Sequence, residues 1–338
     1  MKFLISTHFY TRRFVHPLET GHGVWKEREG ILIKLESEKG TGFGEIAPIP
    51  FFQTESIDEA RGFLASLGEI IDVENCHIPE TLPCTAFALS SVLAQINHAK
   101  DADSDADSDS DADFSIAGLL PSGHAAQEAL ERKMASGFKV FKWKIGVHSF
   151  EEEAQIFDNL INHCVPEVRF RLDANASMSK DTLGKWMQYV QKNRAQIEFF
   201  EQPMPVGEES QMEELSAKYS IPIALDESLN GPSGKQWLEQ DRWAGLFVIK
   251  PSAFGSIELL KDCFSNVGPR CILSSSFETS VGVAACLELA TALQINPFAL
   301  GFDTQAVFSD DYSLNQSLPS LSLSQVKQQS KSIIANVF

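Results

Sequence analysis

The chain has 338 residues, of which 43% are hydrophobic and 22% are charged, and its formal net charge is −18. Such a chain is globular and long enough for about two domains of roughly 150 residues, and its acidity argues against nucleic acid as a partner. No apolar run reaches the about 18 residues of a membrane span. Six scattered cysteines without a C-x-x-C pair favour reduced thiols in the cytoplasm.

Residues 1–100 are predicted to form an α+β domain. Strand-like segments on both sides of a Glu-Lys-Gly turn predict an antiparallel hairpin. Apolar residues at helical spacing after Ser56, a favourable N-cap, predict a helix. The predicted strands are residues 1–14, 31–35 and 42–46, and the predicted helices are residues 56–71 and 85–98.

Residues 101–113 form a low-complexity tract in which every second residue is aspartate and the others are Ala or Ser. A calcium loop is one interpretation, but the tract lacks the Gly at position 6 and the Glu at position 12 of an EF-hand loop. Its like charges repel one another and it has no apolar face to bury, so we expect a disordered acidic insertion.

From about residue 115, strand-like and helical segments alternate, which predicts an α/β barrel over residues 114–304. Beyond it the chain is rich in Ser and shows no clear long helix, so we expect residues 305–338 to return to the first domain. The eight predicted barrel strands are residues 115–120, 139–145, 168–173, 197–201, 221–226, 246–250, 271–275 and 298–302.

Five charged residues, each ending a short apolar run, recur along the barrel at intervals of 29, 28, 25 and 24 residues. A strand, a loop and a covering helix together need roughly 30 residues, and barrel active sites lie at the carboxyl ends of the strands. Strand alternation adds Lys142, which shares a face with Lys144. The predicted site therefore consists of Lys142, Lys144, Asp173, Glu201, Asp226 and Lys250.

This set combines three carboxylates with amines. Taken singly, each carboxylate is better explained as a helix N-cap or a surface turn, but their joint placement favours a functional site. Carboxylate oxygens without nearby His or Cys favour Mg²⁺, or Mn²⁺, over zinc. Such a cation would hold a substrate carboxylate and absorb the charge of the enediolate formed when the adjacent C–H is deprotonated. The base must be a neutral amine, and Lys142 beside Lys144 supplies an ammonium that lowers its pKa.

The sequence around these residues resembles the enolase superfamily, and within it the muconate-lactonizing subgroup. Inside that subgroup the chain is most similar to the o-succinylbenzoate synthase family. The superfamily motifs are residues 142–144, 172–175, 200–203, 225–228 and 249–251, and the motifs of the narrower family are residues 44–48, 117–121, 274–279 and 301–304.

The resemblance implies a modified (β/α)₇β barrel, similar to a TIM barrel, preceded by an α+β capping domain. It implies Mg²⁺ on Asp173, Glu201 and Asp226. It further implies a syn dehydration of 2-succinyl-6-hydroxy-2,4-cyclohexadiene-1-carboxylate to o-succinylbenzoate, in menaquinone or phylloquinone biosynthesis.

The resemblance also implies a role for each lysine. Lys144 removes the proton next to the carboxylate and then, as an acid, assists loss of the hydroxyl. Lys250 faces the other side of the substrate and stabilises the enediolate, by cation–π contact with a ring, and Lys142 tunes Lys144. The substrate-binding residues that the resemblance implies are Asn175, Ser274, Ser276 and Gly301.

Two segments of the first domain are predicted to be lids over the site. Residues 18–25 contain Gly21, His22 and Gly23, and the second segment contains the apolar contact residue Phe51. The alternative is that both are ordinary surface loops.

Other functions remain possible at this point. All eight histidines lie at or before His163, which excludes a histidine base on a later strand and a Ser-His-Asp arrangement that uses the late serines in the usual orders. The nearest competitor is an N-acylamino-acid racemase, in which the same two lysines act as a two-base pair, or an enzyme with both activities. A non-catalytic structural relative is the remote alternative. In either enzyme the partner is a small-molecule carboxylate.

Overall fold

The computed structural model describes residues 2–20, 23–101, 112–295, 298–314 and 316–338. Residues 102–111 of the acidic tract lie outside them, so the predicted disordered insertion stays a prediction. The strands are β1 (Lys2–Thr20), β2 (Gly23–Ser37), β3 (Gly40–Ile46), β4 (Ile70–Asp72), β5 (Asp113–Ser115), β6 (Gly118–Leu120), β7 (Val140–Lys144), β8 (Arg169–Asp173), β9 (Ile197–Glu201), β10 (Ile223–Leu225), β11 (Leu246–Ile249), β12 (Cys271–Leu273) and β13 (Ser320–Ser322).

The helices alternate with the strands in the order expected of a capping domain followed by a barrel. Among those described, none is long and apolar enough to cross a membrane. They are α1 (Ile57–Leu67), α2 (Pro83–Asp101), α3 (Ala125–Ala135), α4 (Phe150–Asn162), α5 (Lys180–Tyr189), α6 (Glu209–Tyr219), α7 (Gly231–Gly234), α8 (Gln236–Glu239), α9 (Pro251–Phe254), α10 (Ile257–Val267), α11 (Ser280–Ala292) and α12 (Leu323–Val337).

The first domain is an antiparallel sheet in the order β3-β2-β1-β4, and the middle of β2, Ile31 to Ile33, is buried on both faces. Ile31, Ile33 and Leu35 alternate along β2 and pack in one core with residues of α2. Leu32 points to the other face, where it packs with α12 and Val281 of α11. Because successive strand residues face opposite sides, burial of both faces requires the continuous apolar run that β2 carries.

The prediction of one helix over residues 56–71 is wrong at its end. Helix α1 ends at Leu67, where Gly68 adopts a φ of 72°, a conformation that glycine takes up without strain. Ile70 and Ile71 then lie in β4, which pairs with the first residues of β1. Both isoleucines fit a helical spacing, so periodicity alone did not separate helix from strand.

The second domain confirms the predicted barrel class. Strands β6 to β12 form one parallel sheet in sequence order. Residues 298–302, predicted as the eighth strand, contribute isolated bridges within the described part of the chain rather than a strand: Leu300 pairs with Ile116, and Gly301 pairs with Ser274. These bridges join the first and last strands of the sheet, so the barrel closes. The predicted first strand, residues 115–120, is divided between β5, which pairs with β13, and β6.

Alternation along β7 separates the packing side chains from the charged ones. Phe141 and Trp143 are fully buried, and the Trp143 ring stacks on Phe157 of α4 with centroids 5.9 Å apart. Lys142 and Lys144 therefore face the opposite side, the barrel interior. Deeper in that interior, Phe199, Ala224, Val248 and Ile272 of the neighbouring strands form an apolar plug. The lysines thus stand at the polar mouth above a packed core.

The expectation that the C-terminal segment lacks a long helix is wrong. Helix α12 packs along α11, and its Ile333 and Ile334 contact Tyr10 and Leu32 of the first domain. The apolar residues of α12 recur at helical spacing, but they are separated by Ser, Gln and Lys, and the composition obscured the pattern.

We expect Ile333→Ala to lower the free energy of unfolding by about 2–4 kcal/mol, because it removes a buried side chain and leaves a cavity. Ser332→Ala, the exposed neighbour on the same helix, should change it by no more than about 0.5 kcal/mol. Urea denaturation followed by tryptophan fluorescence measures both. Equal effects of the two substitutions would show that α12 is not packed against the first domain.

Candidate active site

The structure brings the six predicted residues together at the carboxyl ends of adjacent barrel strands. Lys144, Asp173 and Glu201 are the last residues of β7, β8 and β9, and the strand register pairs Lys144 with Asp173 and Asp173 with Glu201. Asp226 directly follows β10 and Lys250 directly follows β11. Parallel strands in register therefore set the charged side chains side by side at one mouth of the barrel.

The three carboxylates are almost completely buried, and two of the lysines hold them. Lys142 Nζ lies 2.8 Å from Asp173 Oδ2 and 2.6 Å from Glu201 Oε1. On the other side of the group, Lys250 Nζ donates to Asp226 Oδ1. Among the described residues, none forms a hydrogen bond or an ion pair with the half-buried Lys144 side chain. Lys144 is thus the unpaired amine of the site.

Negative charge exceeds what the paired lysines neutralise. Burial is the main cause that raises the pKa of Glu201 to about 7; the nearby ammonium of Lys142 opposes this rise, and the charges of Asp173 and Asp226 add to it. Burial also raises the pKa of Glu227 to about 8, with the charges of Asp226 and Asp173 adding to the effect. For Lys142, burial lowers the pKa, but the surrounding carboxylates outweigh it and the net shift is upward. Lys142 is therefore held as an ammonium ion.

Gln202, which sequence analysis quoted within a motif but did not select as a site residue, fixes Asp226. Its side-chain oxygen accepts the backbone N–H groups of Asp226, at 2.9 Å, and of Ser228, at 3.1 Å. Its amide nitrogen donates to Ser228 Oγ and to the carbonyl of Met204. An amide that both donates and accepts suits this fully buried position. The sequence feature that could have identified Gln202 is its position directly after Glu201.

Asn175, predicted to bind substrate, is bonded to two carboxylates of the site. Its backbone N–H donates to Asp173 Oδ1 at 2.9 Å, and its side-chain amide donates to Asp173 Oδ2 and to Glu227 Oε1. A φ of 43° turns the chain sharply here. Glu227, which sequence analysis did not select, joins the charged group through this contact. Its other carboxylate oxygen, Oε2, is buried and has no partner in the described structure.

The remaining predicted substrate residues lie beside the closure of the barrel. Ser274 and Gly301 pair across it, and a Cβ at position 301 would come within 2.6 Å of Ser274 Oγ, so only glycine fits there without a shift. Ser276 is fully buried, and its hydroxyl has no hydrogen-bond partner among the described residues. Their contact with substrate stays a prediction.

The first domain reaches the site through aromatic residues. Phe51 lies in a 3₁₀ turn, Pro50–Phe52, with its ring 5.2 Å from that of Trp25. The ring centroid of the adjacent Phe52 lies 4.8 Å from Lys250 Nζ, a cation–π distance.

Residues 18–25 are not a loop where they are described. Leu18 to Thr20 and Gly23 to Trp25 are paired strand ends of β1 and β2. Gly21 and His22 lie outside the described residues, so their role as a lid stays a prediction.

The donor set suits a hard divalent cation. Within the described residues, no three acidic, imidazole or thiol groups stand at the spacing of a ready-made metal site. Instead the ammonium of Lys142 lies between two carboxylates from adjacent strands. These oxygens thus already surround one positive charge, and the unpartnered Glu227 oxygen and the carboxyl pKa values, raised by burial and by neighbouring carboxylates, fit a site that takes up a further cation.

Comparison with known proteins agrees with this geometry. Residues 124–319 match the model of the enolase C-terminal domain-like family, and residues 14–96 match that of the MenC N-terminal domain. The o-succinylbenzoate synthase of Thermosynechococcus vestitus is 32% identical over 299 residues, which cover 87% of this chain and 90% of the relative. The enzyme of the same name from Yersinia enterocolitica is 30% identical, with 82% and 84% of the two chains covered.

Solved structures give the same result. The o-succinylbenzoate synthase of Thermosynechococcus elongatus, solved with Mg in its active site, has a TM-score of 0.81 and 28% identity, and the match covers 97% of this chain and 99% of that one. The L-Ala-D/L-Glu epimerase of Bacillus subtilis has a TM-score of 0.73 at 19% identity, with 92% of each chain covered, and shares the fold alone. The chain belongs to the o-succinylbenzoate synthase family of the enolase superfamily.

Proposed function

We propose that this chain is an Mg²⁺-dependent o-succinylbenzoate synthase. It dehydrates 2-succinyl-6-hydroxy-2,4-cyclohexadiene-1-carboxylate to o-succinylbenzoate, a step of menaquinone or phylloquinone biosynthesis. The curated relatives with this name span most of the chain at about 30% identity. The substrate is a small-molecule carboxylate, and the six unpaired cysteines support a cytoplasmic enzyme.

The observation that carries the proposal is the unequal pairing of the lysines. A general base must be free to take up a proton, and Lys144 is the site lysine whose amine makes no ion pair with the described residues. Lys142 and Lys250 are both engaged by carboxylates. A syn dehydration needs one group on one face of the substrate, first as base and then as acid. This arrangement supplies one.

Lys144 carries both proton transfers. Its neutral amine takes the proton from the carbon next to the substrate carboxylate, and the electron pair of that C–H bond moves into the enediolate. The resulting ammonium then returns the proton to the departing hydroxyl, which leaves as water. The electron pair of the enediolate forms the new ring double bond, so the ring becomes aromatic and Lys144 is a neutral amine again.

Lys250 and Lys142 take no part in these proton transfers. Lys250, held by Asp226, stabilises the negative charge of the enediolate from the face opposite Lys144, and its contact with Phe52 limits the positions that its ammonium can take. Lys142 shares the interior strand face of Lys144, and its ammonium is held between Asp173 and Glu201. Each lysine thus has a different role.

Asp173, Glu201 and Asp226 would hold the Mg²⁺. When bound, the ion holds the substrate carboxylate and neutralises part of the enediolate charge. Gln202 keeps the backbone of Asp226 in position through the hydrogen bond to its N–H, and Asn175 orients Asp173. These bonds fix the carboxylates before any cation arrives, which reduces the reorganisation that binding requires.

Two observations weigh against the alternatives. A racemase needs a free base on each face, whereas Lys250 is paired with Asp226. The complete set of lysines and carboxylates argues against a non-catalytic relative.

We expect Lys144→Ala and Lys250→Ala each to lower kcat by about a thousandfold or more, because each removes a group that acts on the transition state. Lys139→Ala, an exposed position just before β7, should retain turnover. The assay is the appearance of the aromatic product by ultraviolet absorbance, with circular dichroism to verify folding. Retained turnover in either site variant would contradict the assignment, as would N-acylamino-acid racemisation without dehydration by the unmodified protein.

The metal-free protein should lose stability as the pH rises. The pKa values of about 7 for Glu201 and about 8 for Glu227 lie above the 4.5 of an unfolded chain, so the folded state binds protons that the unfolded state releases. Stability is then greatest near and below pH 4.5 as far as these groups are concerned, and it falls through about pH 8. In EDTA, Glu201→Gln should therefore raise the Tm relative to the unmodified protein at pH 8 and not at pH 5.

The matched control is Glu213→Gln, an exposed carboxyl on α6, whose effect on the Tm should not vary with pH. Added Mg²⁺ should raise the Tm of the unmodified protein and restore turnover after EDTA, and it should do neither for Glu201→Gln. A Tm difference between Glu201→Gln and the unmodified protein that is constant from pH 5 to pH 8 would refute the charge excess at the site.

A further inference from the structure

A buried carboxylate of the first domain, Glu45 in β3, is bonded to the barrel. Its residue is 1% exposed. Both carboxylate oxygens accept the backbone N–H of Thr279, at 2.9 and 3.0 Å, and Oε2 also accepts the N–H of Gly282 at 2.9 Å. The Thr279 hydroxyl and the Tyr10 hydroxyl donate to it as well. Glu45 thus joins parts of the chain that are 234 residues apart.

These donors form the amino end of helix α11. Thr279 is its N-cap, and its hydroxyl accepts the N–H of Val281 while donating to Glu45. Ser280 donates its N–H to the carbonyl of Tyr312. The first amides of a helix have no partner within the helix, and its dipole favours a negative charge at this end. Glu45 therefore completes the cap by accepting the N–H groups of Thr279 and Gly282, the two that Thr279 Oγ1 and Tyr312 leave unpaired.

The capped end is also the end of the loop that follows β12. That loop carries Ser274 and Ser276, the candidate substrate residues, and reaches α11 through Glu278. Glu278 is buried and accepts hydrogen bonds from Ser275 Oγ, at 2.6 Å, and from Ser252. Arg12 of the first domain donates to its carbonyl. The loop is thus fixed at its far end by two residues from the first domain.

Packing around the carboxylate leaves little freedom. A Cβ at position 282 would lie 2.9 Å from Glu45 Oε2 and 2.8 Å from Glu278 Cβ. The glycine therefore lets the carboxylate approach the helix closely. Because both carboxylate oxygens accept the backbone N–H of Thr279, a neutral amide at position 45 would place its N–H₂ group beside that N–H in either orientation, and an N–H cannot accept a hydrogen bond.

We propose that Glu45 is a positioning residue for catalysis: through the amino end of α11 it fixes the loop of Ser274 and Ser276 in its substrate-binding conformation. This inference rests on the proposed function for the identity of the substrate. Docking of the first domain then shapes the substrate pocket directly, besides covering it. Glu45 contacts neither Lys144 nor the three carboxylates of the site. Its loss should therefore weaken substrate binding and leave the chemical step nearly intact.

Glu55 provides a matched control. It is also a buried carboxylate that accepts amides at the amino end of a helix, from Cys84 at 3.1 Å and Thr85 at 2.7 Å, but this helix, α2, lies within the first domain. Glu45→Gln and Glu55→Gln therefore remove the same kind of interaction, and only the first of them borders the substrate loop.

The test compares steady-state kinetics and amide hydrogen exchange of the two variants. Glu45→Gln should raise KM about tenfold, the worth of a charged hydrogen bond, with kcat within about threefold. Exchange of the amides of residues 274–282 should accelerate in substrate-free Glu45→Gln and remain unchanged in Glu55→Gln. Equal KM values and equal exchange in the two variants would overturn the inference.

Two further arms keep the test decisive. If Glu45→Gln does not fold, Tyr10→Phe removes one donor to the carboxylate and should show the same KM and exchange changes at smaller size, and its failure to do so overturns the inference. If the unmodified protein does not dehydrate the substrate, the proposed function fails. The exchange comparison still tests whether Glu45 holds the loop of Ser274 and Ser276 in place, because it needs no substrate.

Discussion

The burial of three carboxylates at the ends of adjacent parallel strands is the constraint on which the site depends. The register of β8 and β9 sets Asp173 beside Glu201, Asp226 follows the next strand, and burial makes each negative charge more costly. The ammonium groups of Lys142 and Lys250 offset part of that cost. The remaining cost appears as the raised pKa of Glu201. We expect such a site to favour a bound divalent cation, because its charge offsets the repulsion between the carboxylates.

The same constraint explains the neighbouring hydrogen bonds. Gln202 holds the backbone of Asp226, and Asn175 holds the carboxylate of Asp173, so the repelling groups stay in place. With Lys142 and Lys250 engaged, one amine remains available for proton transfer. The first domain adds Phe52 against Lys250 and Glu45 against α11. The barrel thus arranges the charges, and the first domain adds contacts to Lys250 and to the amino end of α11.

Much of this arrangement was predictable from sequence, because strand periodicity and the even spacing of charged residues are local signals. These local signals predicted the six charged residues, the barrel and the carboxylate site. The interactions of Gln202 and Glu45 did not, since they depend on hydrogen bonds between segments far apart in the chain, and no spacing marks them. Helix α12 was missed because its apolar stripe is diluted by Ser and Gln, and the eighth strand was overestimated because it is reduced to two bridges in the described chain.

The most direct test of the central claim is a crystal structure with Mg²⁺ and o-succinylbenzoate bound. We expect the metal about 2.1 Å from oxygens of Asp173, Glu201 and Asp226. We also expect Lys144 Nζ and Lys250 Nζ on opposite faces of the aromatic ring. A metal bound elsewhere, or both lysines on one face of the product, would contradict the central claim.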